Sequence, residues 1–139
     1  MTLRVRRLFF AVPLAELIAV LGIVVPGGIA FAFTDATVTA RIIEMQQLAL
    51  WTAPAAGFAS CLLGGWWVAR GAIAGHERNG LVLGLGVAVI DLVLLVASGA
   101  PLGALLASSA LSRIAGGYCG GKIAGTPRRL RNALTPPRA

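Results

Sequence analysis

Residues 81 to 98 read LVLGLGVAVIDLVLLVAS, eighteen positions with a single charged residue, Asp91. Apolar side chains fall on every side of a helix drawn through this run, so it has no stripe to turn toward water. At 1.5 Å per residue, the run comes close to the roughly 20 residues needed to cross a ~30 Å hydrocarbon core. Moving outward along the chain, three more segments read the same way: residues 8 to 33, 47 to 69 and 102 to 125. The expected fold is therefore all-α, a polytopic membrane protein. Its four transmembrane helices would form two helical hairpins in one membrane domain spanning residues 1 to 139, with a basic tail at 126 to 139. A β-barrel does not fit, because the segments are continuously apolar instead of alternating with period two.

Composition points the same way. Of 139 residues, 58% are hydrophobic and 12% charged, and the mean hydropathy is +0.86. A soluble domain carries about 25% charged residues, and this much apolar side chain would leave a sticky exterior in water. Residues 8 to 33 imitate a secretory signal, with Arg4, Arg6 and Arg7 ahead of an apolar run that reaches Ala30-Phe31-Ala32. The run is long for a signal and contains Glu16, so a retained helix is expected. Pro26-Gly27-Gly28 should loosen its last turn.

The net charge of +7 could suggest nucleic acid, but the placement of the cations argues for a bilayer as partner. Arg4, Arg6, Arg7, Arg70, Arg78, Lys122, Arg128, Arg129, Arg131 and Arg138 all fall on one side of a four-span arrangement. Arg41 falls on the other, and the turn Ser98-Gly99-Ala100-Pro101 there is uncharged. Positive residues near span ends stay cytoplasmic. Both termini are thus expected to face the cytoplasm of a cell membrane, read as a bacterial inner membrane. Arg70, Lys122, Arg128, Arg129 and Arg131 would meet lipid headgroups, beside an aromatic belt of Trp66, Trp67 and Tyr118. Residues 34 to 47 are expected to form an interfacial extension, with Thr34 or Asp35 as helix cap and Arg41 and Glu44 as neighbours.

Three ionisable residues fall inside spans, where each costs roughly 2.5–3.5 kcal/mol on insertion scales and is a functional candidate by default. Counting 1.5 Å per residue places Glu16, Asp91 and Arg113 about 12, 15 and 18 Å from the cytoplasmic boundary, nearly one depth. Spans three and four are joined by a very short turn, so they should be antiparallel neighbours with an Asp91–Arg113 ion pair between them. The pair could simply fix register between two helices. Alternatively Glu16 joins it, and the site binds a proton, a cation or a partner's charge.

Glycines mark expected helix contacts, since small residues four apart let backbones approach closely. The candidates are Gly64 and Gly65 in span two, Gly84 in span three, and Gly116, Gly117, Gly120 and Gly121 in span four. Span two ends in Gly64-Gly65-Trp66-Trp67-Val68-Ala69-Arg70 and span four in Gly116-Gly117-Tyr118-Cys119-Gly120-Gly121-Lys122, with Ile-Ala-Gly soon after each. This echo is consistent with a duplicated hairpin. Through Gly64 to Arg70, the loop to Asn79-Gly80, and Gly116 to Gly121, the chain resembles a family of small four-span bacterial membrane proteins of uncharacterised activity. The resemblance covers about residues 56 to 125 and implies a fold but no activity.

No enzyme motif is present: there is no nucleophile elbow, no phosphate loop and no His-Glu-x-x-His. Cys61, Cys119 and His76 offer no metal-ligand spacing. No cofactor, metal or nucleic-acid partner is expected. The main functional expectation is a non-catalytic accessory, assembly or interaction subunit, working as a homo-oligomer or within a larger membrane complex. A second expectation is a proton-coupled small-molecule transporter, because Leu14-Ala15-Glu16-Leu17-Ile18 resembles the Ala-Glu segment carrying the proton-and-drug-binding carboxylate of small multidrug-resistance exporters. No downstream segment continues that likeness. A third is a holin-like membrane-permeabilising protein, from small size and the basic tail.

Overall fold

The computed structural model describes residues 5–32, 38–97 and 103–134. They form four helices: α1 Val5–Ala32, α2 Val38–Arg70, α3 His76–Ala97 and α4 Ala104–Leu134. The architecture is all-α, four helices packed on one another. Each helix overruns the apolar segment that announces it. α2 begins at 38, so the helical extension expected to lead into the apolar run at 47 is continuous with it, and α3 begins at 76 instead of 81. α4 continues from 125 through the tail to 134. Apolarity marks what a segment can be buried in, whereas backbone hydrogen bonding continues into polar sequence until something stops it. α1 likewise stays helical through Pro13 and Pro26, although each proline removes one backbone donor. The Thr34 or Asp35 cap, the turn at 98 to 101 and Arg138 lie outside the described residues, as do the side chains of Arg41 and Glu44.

α2 and α3 form the middle of the bundle, with α1 against one flank of both and α4 against the other. α3 and α4 run antiparallel. A methyl group at Gly84 would sit 2.6 Å from the Arg113 carbonyl oxygen, and farther along one at Gly121 would meet the His76 carbonyl. α2 and α4 run parallel, since Gly116 lies on Phe58 and, one turn on, Gly120 lies on Leu62. α1 and α2 are antiparallel, with Gly22 beside Ala56 and Arg7 beside Gly71.

The α2–α3 connection is only residues 71 to 75 and is closed by Gly75, whose φ of 72° suits a residue without a side chain. His76 Nδ1 donates to the Ala69 carbonyl at 2.7 Å, capping one of the acceptors left free at the end of α2. Asn79 Nδ2 donates to the Gly75 carbonyl at 2.9 Å. His76 and Arg78, expected in a loop, thus belong to the first turn of α3.

The core is apolar, formed by Leu8, Ala11 and Ala15 of α1 with Cys61 and Val68 of α2 and Leu83 and Val87 of α3, but several polar side chains are buried beside it and many large apolar ones are exposed. Glu16, Arg113, Ser60, Asn79 and Ser109 are buried, while Phe9 (75% exposed), Leu63 (58%), Val93 (59%) and Leu111 (67%) face outward from the four helices. Among the described residues, one helical segment, Val5–Ile29, is long and apolar enough to cross a membrane, and most of it is exposed on the bundle.

Candidate functional site

The structure brings Glu16, Asp91 and Arg113 together from three helices. Arg113 is 2% exposed, and its Nη2 lies 3.0 Å from Asp91 Oδ1. The same guanidinium reaches Glu16: Nε and Nη2 donate to its carboxylate at 3.4 Å. Nη1 donates to Ser109 Oγ, and Ser109 Oγ donates onward to Asp91 Oδ2 at 3.2 Å. Ser109 and Arg113 are one turn apart on α4, which places the hydroxyl between cation and carboxylate. The shorter contact and the Ser109 relay make Asp91 the principal counter-ion, with Glu16 held more loosely from the far flank.

That far flank requires explanation, because α1 and α4 lie on opposite sides of the α2–α3 pair. The path is opened by Gly57 on α2. A methyl group there would lie 3.0 Å from Arg113 Nη1, 3.2 Å from Cγ and 3.3 Å from Cζ, so the arginine side chain passes over the missing side chain of α2 to reach α1. Gly57 is the residue that sequence reasoning missed. A usable signal existed, since Gly57, Cys61 and Gly65 recur every four residues along α2. On α1, Ala11, Ala15 and Ala19 are almost fully buried around Glu16, a small-residue strip that brings the carboxylate's backbone close to its neighbours. Every buried side-chain N or O among the described residues has a hydrogen-bond partner.

The glycine candidates divide. Gly116 and Gly120 meet the backbone of α2 at Phe58 and Leu62, and Gly65 meets α4, where a methyl group would lie 2.6 Å from the Gly117 carbonyl oxygen. Gly117 and Gly80 face each other backbone to backbone, as do Gly84 with Arg113 and Gly121 with His76. These approaches leave no room for a Cβ. Gly64 behaves differently: its neighbours are the Leu83 and Ala15 side chains at 3.4 and 3.7 Å, ordinary contact distances, and it lines an open groove between α1 and α2.

At the opposite end of α2 from Trp51, cations sit on aromatics. The Arg70 guanidinium lies 4.8 Å from the Trp66 ring centre and that of Arg7 lies 5.8 Å from Trp67, both within cation–π range. Lys122 is exposed. Arg128, Arg129 and Arg131 lie on the helical backbone of α4, with side chains outside the described residues. The arrangement as a whole can fix helix positions by buried charge and present cations at one end; comparison of the chain with family models, with curated proteins and with solved structures finds no match.

Proposed function

We propose that the chain is a four-span integral membrane protein, both termini cytoplasmic, acting without catalysis as an accessory, assembly or interaction subunit. The observation that carries this reading is a buried charge cluster inside a bundle whose outer faces expose many large apolar side chains. Its chemically distinctive side chains are engaged with one another inside, which leaves apolar helix faces and terminal cations as the means of acting on anything else. A buried ion cluster set within an apolar exterior suits a hydrocarbon solvent, where charges face the bundle interior and pair. The sequence of the remaining helices is compatible with spanning. Residues 45 to 69 contain no Asp, Glu, Lys or Arg, residues 80 to 97 contain only Asp91, and residues 102 to 121 only Arg113.

Two measurements test the proposal. Reporter fusions should place both ends in the cytoplasm; ends on opposite faces would overturn the four-span topology. Crosslinking and native mass analysis of the endogenous protein in mild detergent should recover a homo-oligomer or a stoichiometric complex. A free monomer alone would overturn the interaction role.

One observation favours a second reading, the proton-coupled transporter. The cluster sets two carboxylates against one guanidinium, and Glu16, the more loosely held, is the residue of the exporter-like segment. A Glu16→Gln variant with undiminished transport or resistance would remove this reading.

A further inference from the structure

Resting on the membrane reading above, we propose that the groove between α1 and α2 is the seat of one anionic phospholipid from the cytoplasmic leaflet. An acyl chain lies in the groove and the phosphate sits at Arg7 and Arg70. The groove holds about 310 Å³ and is lined by Ala11, Leu14, Ala15 and Ile18 of α1 facing Leu63 and Gly64 of α2, with Trp66 and Trp67 closing one end. Its one hydroxyl, Ser60, already donates to the Gly57 carbonyl at 3.1 Å and asks nothing of a ligand. The α1 lining runs from residue 11 to residue 18, about 10 Å of helix, most of the ~15 Å depth of one leaflet. Leu14, Ile18 and Leu63 are each about half exposed, so the groove opens sideways, the direction from which a lipid arrives.

Charge selects the headgroup. Arg7 and Arg70 both rest on the tryptophans that close the groove, and neither has a carboxylate partner among the described residues. A guanidinium held by cation–π attraction over an indole still has N–H donors to offer, the group that binds phosphate bidentately. Arg7 crosses the end of α2 over Gly71, its Nη1 lying where a methyl group of that residue would sit. Two cations without counter-charges favour a lipid of net negative charge over a zwitterionic one, by about fivefold for each arginine near the surface.

The test uses the full chain carrying Trp51→Phe, which leaves Trp66 and Trp67 as the fluorophores, in phosphatidylcholine vesicles. A minor fraction of the lipid is brominated near the headgroup end of its chains, in either phosphatidylglycerol or phosphatidylcholine. Brominated phosphatidylglycerol should quench at several-fold lower fraction than brominated phosphatidylcholine, and Arg7→Gln with Arg70→Gln should remove the difference. Filling the groove with Leu63→Trp should lower lipid retention in native mass spectra of the detergent-extracted protein. Equal quenching by the two lipids would overturn the lipid seat and leave the membrane reading standing. Absence of quenching by either lipid would overturn both.

Discussion

The two flanks of this bundle are joined by different chemistry. On the α4 flank, glycines bring backbone onto backbone: Gly116 and Gly120 against α2, Gly117 and Gly121 against α3. On the α1 flank the contact is a strip of alanines, Ala11, Ala15 and Ala19. Grooves border it on both sides, one toward α2 and one of about 530 Å³ toward α3, lined by Leu8, Val12, Val82 and Gly86. Close backbone contact gains dispersion but tolerates no added atom; a methyl-lined seam with voids tolerates change and accepts ligands. α4 is thus welded to the middle pair backbone to backbone, while α1 is held by side chains, with Leu8, Ala11 and Ala15 in the apolar core against Cys61, Val68, Leu83 and Val87 and Glu16 and Arg7 as polar ties.

Arg113 ties the two flanks together, so its loss should have the largest effect. Arg113→Met leaves the buried Glu16 and the partly buried Asp91 without their cation, a destabilisation of about 3–5 kcal/mol, read as a fall in the thermal unfolding midpoint in detergent. Next in size, Gly120→Ala strikes the α4 flank alone. The new methyl meets the Leu62 carbonyl and Trp66 amide of α2, overpacking that costs about 1–3 kcal/mol. The matching change on the α1 flank, Gly22→Ala, meets only the Ala56 methyl at 3.1 Å and should cost clearly less in the same assay; equal losses would erase the contrast between the seams.

Glu16→Gln sharpens the comparison from the other direction. It removes a contact made at 3.4 Å and leaves Arg113 matched one to one with Asp91. The expected loss is about 1 kcal/mol, smaller than that of Asp91→Asn measured alongside. The smallest effect belongs to Gly28→Ala, where the added methyl meets nothing within 4 Å. Alanine's better helix propensity, worth up to about 1 kcal/mol, should leave the midpoint unchanged or slightly raised.

The four helices and the antiparallel pairing of α3 with α4 were legible because apolar length and a short turn are local properties. The meeting of Asp91 with Arg113 follows from the same counting, since helix rise converts residue number into depth. The helix ends were not legible, because polar residues such as His76 to Gly80 and Thr126 to Leu134 extend helices that apolarity alone would stop. Glu16 shares the depth of the other two charges, but its route to Arg113 depends on which helix lies between α1 and α4. Gly57 has a meaning only once α2 is known to stand in that path. In the sequence Arg7 is one of several topology-setting cations; that it reaches Trp67 across Gly71 depends on how far α1 slides along α2, which no spacing records.

The charge cluster also sets a timetable for biogenesis. Glu16 and its cation are 97 residues apart in the chain, so at about 5–20 residues per second the carboxylate is made roughly 5–20 s before Arg113 emerges from the ribosome. Asp91 waits only a fifth of that interval. On the membrane reading proposed above, a nascent α1 would enter hydrocarbon with its acid unmatched, whereas α3 and α4 would arrive with Asp91 and Arg113 already paired. The arrival of α4 is the event that completes assembly, and a chain truncated ahead of it should be a preferred target for membrane quality-control proteolysis.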